Sequence, residues 1–267
     1  MKVLTTDIPA RERAGIRLVR FFVLVTALSV PFYILGAVSS TVRVGALHLP
    51  ASAAMFVLPG LAAVILVFRE GGSAAVRALL ARVVDRPAGQ ARWYAVAALL
   101  PVAVGLLAWA LLWLGGRADP VLPAPLALLP LLLTAMVVAA ACEELGWAAH
   151  AGDPIRRRFG TLGTGLLLGL FWAVWHLVPL LQAGHGAAWI GGWFLGTVAS
   201  RMIIVGLCAA TGGVSAAIFM HAMINITAAY LPGYDMPFAP LVTALLTAVA
   251  AAGILRLVSC RSSCAIG

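Results

Sequence analysis

Charge is what this sequence has least of. Only 27 of its 267 residues are Asp, Glu, Lys or Arg, about 10% against roughly 25% in ordinary soluble domains. So few charges cannot cover a water-facing globular surface, which excludes a soluble fold. Lysine is nearly absent: Lys2 stands alone beside 17 arginines. The four cysteines, Cys142, Cys208, Cys260 and Cys264, lack the paired spacing of a zinc ribbon or a disulfide framework. No internal repeat or low-complexity linker divides the chain, so residues 1–267 read as one integral membrane domain. What is present is apolar, since 63% of residues belong to the hydrophobic set. The formal charge of +9 would suggest nucleic acid in a soluble chain. In a membrane chain it reports instead which loops face the cytoplasm, and a nucleic-acid role is set aside.

Apolar runs bounded by charge, Gly or Pro predict an all-α bundle of about eight transmembrane helices. They are Phe21 to Ser40, Leu47 to Phe68, Trp93 to Gly115, Leu128 to Ala149, Leu162 to Gln182, Trp189 to Ala210, Val214 to Leu231 and Pro237 to Val258. Basic residues gather at every second connection: Lys2 to Arg20, Arg69 to Arg92, Arg156 to Arg158, and the tail. The alternate connections hold only Arg43 and Arg117. By the positive-inside rule both termini are cytoplasmic. An Arg- and Ala-rich composition points to a bacterial plasma membrane. The segment Ala74 to Val84, with Arg77 and Arg82 among Ala, Leu and Val, reads equally as an interfacial helix or as an ordinary basic loop.

Seven of the nine acidic residues lie in loops or at span edges; Glu143 and Glu144 do not. A carboxylate inside an apolar run costs about 2.5–3.5 kcal/mol on insertion scales, so such groups face a bundle interior and mark function. Of the five histidines, His176 and His221 lie deep in the fifth and seventh spans, while His48, His150 and His185 sit near ends or in a loop. The fourth and fifth spans form an antiparallel hairpin turning at Phe159-Gly160, which brings Glu143 and His176 to similar heights. His221 and Asn225 are four apart and share a helix face, as do Trp172 and His176. Adjacent Glu143 and Glu144 point about 100° apart, so Glu143 is taken to face the His pair and Glu144 to support a neighbouring helix or polarise the site.

Carboxylate, two imidazoles and an amide suit hydrolysis by water. Glu143 would act as general base, His176 would hold the water, and His221 and Asn225 would donate to the oxyanion. At these residues the chain resembles the CAAX protease and bacteriocin-processing family of intramembrane endopeptidases, which includes the Ras-converting CAAX endopeptidase. The match rests on Glu143-Glu144-Leu145-Gly146-Trp147-Ala148, on Trp172-Ala173-Val174-Trp175-His176, and on His221-Ala222-Met223-Ile224-Asn225. They fall within a motif-bearing core of about residues 128–231. The resemblance implies an eight-helix bundle and glutamate-dependent peptide hydrolysis, with the same four residues in the same roles and Glu144 beside them. The substrate would be a peptide or membrane protein, and the bilayer the surrounding partner.

Many members of the family are described as metalloproteases. Glu143, His176 and His221 would ligate zinc only by converging within about 2.0–2.2 Å of one point, and a metal-free mechanism is preferred. The family's first motif has Arg where this chain has Ala148, so Arg201, alone among cations within a span, is the candidate substitute partner for Glu144. A non-catalytic relative acting in self-immunity or as a scaffold is the alternative, and a proton-coupled transporter a further one. Ser215 lies six residues before His221, about 240° around the helix, which argues against a serine mechanism. The terminal Cys264-Ala265-Ile266-Gly267 fits a loose prenylation pattern by coincidence.

Overall fold

A computed structural model describes residues 10–85, 90–118 and 120–264, with side chains described for 15–85, 90–118 and 120–259. The prenylation-like terminal tripeptide lies outside the described residues. The chain is helical almost throughout: α1 (Ala10–Val38), α2 (Leu58–Ala81), α3 (Ala91–Leu114), α4 (Leu129–Glu144), α5 (Asp153–Trp175), α6 (Leu177–Gln182), α7 (Ala187–Thr211), α8 (Ser215–Tyr230) and α9 (Ala239–Cys264). A π-helical segment, Leu145–Gly152, joins α4 to α5. Six stretches are long and apolar enough to cross a bilayer, and α8 is a shorter apolar helix. Large apolar side chains such as Val19, Val23, Ile34, Leu107 and Val249 stand exposed on the helix surfaces, as expected where the solvent is hydrocarbon. The protein is an all-α polytopic membrane protein.

Two details differ from the sequence expectation. The second apolar run begins not at Leu47 but after a small antiparallel hairpin, β1 (Val42–Val44) and β2 (Leu47–Leu49), in which Arg43 faces His48. Gly45, at φ +60°, supplies the left-handed turn. The hairpin is held to the end of α8, because the Ala46 N–H donates to the Ala229 carbonyl at 2.8 Å. In addition, the fourth and fifth runs are not two separate helices with a loop. Helical backbone continues through the π segment, and the break falls at Gly160, at φ +67° and ψ −178°. The expected turn is therefore where the sequence suggested, made by a conformation that glycine alone adopts without strain. A similar break at Gly72 divides α2 and leaves a helical piece beyond it over the segment read as either interfacial helix or loop.

Packing between α5 and α7 uses small residues. A Cβ on Gly169 would lie 2.9 Å from the Val198 Cα and 3.3 Å from the Arg201 Cβ. Only hydrogen fits there, so the helices approach closely enough for Arg201 to reach across. Beneath the polar centre lies an aromatic core that includes Phe21, Trp147, Trp172 and Trp175.

Candidate active site

Glu143 and Glu144 close α4, immediately before the π segment. Single π turns within α-helices recur at functional sites, because the wider turn re-aims side chains. Trp147, four residues after Glu143, donates its indole N–H to Glu143 Oε2 at 3.1 Å, and Trp172 of α5 donates to the same oxygen at 2.8 Å. That oxygen is saturated. Glu143 Oε1 instead lies 4.0 Å from His221 Nε2.

Glu144 turns the other way and is fully buried. Its two oxygens accept from Arg201 Nη1 at 2.8 and 2.7 Å, and Oε1 also stands 2.9 Å from His221 Nδ1. Arg201 of α7, the cation expected from the sequence to partner Glu144, is thus paired with it. Two guanidinium nitrogens of Arg201, Nε and Nη2, have no hydrogen-bond partner among the described residues, but the guanidinium carbon sits 4.1 Å from the centroid of the Trp172 ring. The indole face offers the cation a partial electrostatic substitute. Trp172 therefore contacts both carboxylate systems, and its edge also meets the His221 ring at a centroid distance of 4.8 Å.

His176 sits at the junction of α5 and α6. Pro179 has no N–H for the Trp175 carbonyl four residues earlier, and Tyr33 of α1 supplies the missing donor at 2.8 Å. The His176 Nδ1 lies 2.9 Å from the Trp172 carbonyl. A carbonyl only accepts, so Nδ1 carries the proton and Nε2 is the free lone pair of the neutral ring. By the same logic His221 Nδ1 donates to Glu144, and its Nε2 is the nitrogen turned toward Glu143.

Glu143, His176, His221 and Asn225 line one cavity of about 660 Å³, whose walls are otherwise largely Ala, Leu, Pro, Met and Trp. Glu144 does not line it and stands behind His221. Sequence reasoning singled out these five residues and named Arg201, but assigned no role to Trp147 or to the Trp172 indole. The available signal was spacing, since Trp147 follows Glu143 by four. Ser215 lies elsewhere, its hydroxyl bound to the Asp85 carbonyl and to the Tyr94 hydroxyl. For a metal, Glu143 Oε2, both oxygens of Glu144 and His221 Nδ1 are already engaged with protein groups. Among the described residues no three His, Cys, Asp or Glu side chains are placed to share an ion.

Residues 125–227 match the family described as type II CAAX prenyl endopeptidase, Rce1-like. Over 101 residues the chain is 30% identical to CAAX prenyl protease 2 of Methanococcus maripaludis, an alignment that covers 34% of this chain and 37% of that protein. The matched span contains Glu143, Glu144, Trp172, His176, Arg201, His221 and Asn225. The similarity to Rce1-like CAAX prenyl endopeptidases is thus a similarity of this segment, which carries those seven side chains.

Proposed function

We propose that the protein is a glutamate-dependent intramembrane endopeptidase of a bacterial plasma membrane, crossing the bilayer eight times with both termini cytoplasmic. The observation that carries this reading is the convergence of Glu143, His176, His221 and Asn225, from three separate helical regions, on one cavity. Water lying between Glu143 Oε1 and His176 Nε2 would be polarised from both sides. Glu143 Oε1 takes one proton as the water oxygen bonds to the peptide carbonyl carbon. The carbonyl π pair moves to oxygen, and the Asn225 amide N–H donates to that oxyanion.

His221 helps in the same step only when Nε2 also bears a proton, because Nδ1 already donates to Glu144. Collapse of the adduct re-forms the carbonyl and breaks the C–N bond. The leaving nitrogen takes the proton from Glu143, which gives a carboxylic acid and an amine, and the acid proton then passes to the amine, leaving a carboxylate and an ammonium group. No step calls for a metal, and a metal-free mechanism is the one proposed.

The test is purified protein in lipid vesicles with a peptide library. Glu143→Gln, His176→Ala and His221→Ala are expected to fold and to lose cleavage. Asn225→Ala is expected to slow it by roughly 10²–10³, the usual effect of removing one oxyanion donor. Turnover retained by Glu143→Gln overturns the mechanism, and turnover abolished by a chelator and restored by zinc overturns the metal-free form. Biological effect lost in Glu143→Ala without any cleavage by the wild type would favour a scaffold or immunity role.

A further inference from the structure

The side chain of His176 leaves the backbone at a peptide plane that is held from both ends. The unit joining Trp175 to His176 is planar, so fixing its oxygen and its N–H also fixes the direction in which the His176 Cα projects its side chain. The N–H donates to the Trp172 carbonyl at 3.2 Å. The oxygen accepts from the Tyr33 hydroxyl of α1 at 2.8 Å. Because His176 Nδ1 also faces the Trp172 carbonyl, at 2.9 Å, ring and plane share one acceptor.

α1 holds Trp175 at a second point. The Trp175 indole N–H donates to the Ser29 hydroxyl at 2.8 Å, and that hydroxyl donates to the Val25 carbonyl at 2.8 Å. Ser29 and Tyr33 are four residues apart and share one helix face. Ser29 is fully buried, where an indole N–H without an acceptor would be costly. Gln182 of α6 ties Tyr33 down in turn, since its side-chain amide donates to the Tyr33 carbonyl at 2.7 Å and accepts from the Ser52 hydroxyl. Close approach is built in, as a Cβ on Gly36 would lie 2.8 Å from the Ser52 Cβ. The Trp175 ring meets the His176 ring edge-on, with centroids 4.8 Å apart.

We propose that Ser29 and Tyr33 are positioning residues for His176, through which α1 fixes the turn that aims Nε2 into the cavity. The inference rests on the hydrolase reading above. It extends the machinery to a helix outside residues 125–227, the stretch similar to the CAAX endopeptidases. Without the Tyr33 hydroxyl the Trp175 oxygen is buried with no donor, and the turn relaxes away from the geometry that keeps Nδ1 on the Trp172 carbonyl. His176 then samples its second tautomer, and the nitrogen meant to hold water is displaced. A misplacement of about 1 Å can lower a rate by roughly 100-fold.

The experiment uses the full-length protein in vesicles and the best-cleaved peptide of the library. Tyr33→Phe keeps the ring and deletes the donor, and is expected to lower kcat by roughly 10- to 100-fold while KM stays within about twofold. Ser29→Ala is expected to act in the same direction, and it carries the decision should Tyr33→Phe not fold. Thr26→Val, which deletes an exposed α1 hydroxyl bonded to the Phe22 carbonyl of its own helix, is expected to leave kcat unchanged. The second readout is the imidazole nitrogen spectrum of isotope-labelled histidine, with His176 assigned by difference against His176→Gln. The wild type is expected to show one tautomer, protonated at Nδ1, and Tyr33→Phe a mixture of two. An unchanged kcat, a slower variant whose His176 keeps the wild-type tautomer, or an equal loss in Thr26→Val overturns the proposal. If the wild type cleaves no peptide, the hydrolase reading falls and the tautomer alone decides: a mixture in Tyr33→Phe upholds the positioning and a single form overturns it.

Discussion

Arg201 and Glu144 form an ion pair with no solvent contact at all, at 2.7 Å and with both side chains 0% exposed. It joins α7 to the end of α4, and Glu144 passes the constraint on to His221 Nδ1. Removing one member leaves the other charged and unpaired, which typically costs about 3–5 kcal/mol. Arg201→Ala is therefore expected to lower the unfolding temperature sharply in a detergent melt. Arg201→Met combined with Glu144→Met should restore much of that stability, because buried pairs often yield to apolar side chains without loss. Cleavage should remain absent in the double variant, since His221 has lost its orienting partner. Recovery of both stability and cleavage would mean that the pair has no part in the reaction.

Trp172 donates to Glu143 Oε2 while its ring lies against Arg201. Trp172→Phe keeps an aromatic face for Arg201 and deletes the donor. A hydrogen bond to a charged group contributes about 1.5–3 kcal/mol, so the rate is expected to fall by roughly 10- to 100-fold, with a small change in melting temperature. The effect should appear in kcat more than in KM, because Trp172 orients the base. An unchanged kcat would remove the indole from that role.

Gly169 sets the distance between α5 and α7. Its neighbours there are the Val198 Cα and the Arg201 Cβ, which cannot swing aside as a flexible side-chain tip does. Overpacking of this kind usually costs about 1–3 kcal/mol. Gly169→Ala is expected to destabilise by that order, and to reduce cleavage more than an alanine at exposed Gly191, where an added methyl group would meet nothing within 4 Å. Equal effects at the two positions would show that close approach is not needed.

At the opposite end of α8, Asp85 accepts from the backbone N–H groups of Val214 and Ser215 at 2.9 Å each and pairs with Arg82 at 3.1 Å. Burial raises its carboxyl, but the Ser215 and Val214 donors and Arg82 outweigh it and hold the group below its ordinary value. A depressed folded value means that the stabilisation is present above the ordinary carboxylate range and is lost as pH falls through the folded value. Asp85→Ala is expected to cost about 1 kcal/mol near neutral pH, in the range of a lost helix cap. It should also flatten the acid side of the stability curve. A variant whose acid limb matches the wild type would exclude Asp85 as its source.

Much of the architecture was legible because hydrocarbon imposes a simple rule. A run of about 20 apolar residues must form a helix to satisfy its own backbone, so the apolar runs, the membrane class and the turn at Gly160 are written locally. Glu143, Glu144, His176, His221 and Asn225 stood out for the same reason, as polar groups where polar groups are expensive. The hairpin at Val42–Leu49 was hidden because Leu47 and Leu49 read as the start of an apolar run. Their pairing depends on a hydrogen bond to Ala229, far away in the chain.

The order of residues alone determined that this chain lives in a bilayer and that a handful of ionisable groups must be sheltered inside it. Only the tertiary structure decided who shelters whom: Trp147 and Trp172 for Glu143, Arg201 for Glu144, Glu144 for His221. Such pairings depend on separations of about 3 Å between side chains on different helices. Helical spacing sets which face a residue occupies, but the close fit of neighbouring helices sets which partner it meets.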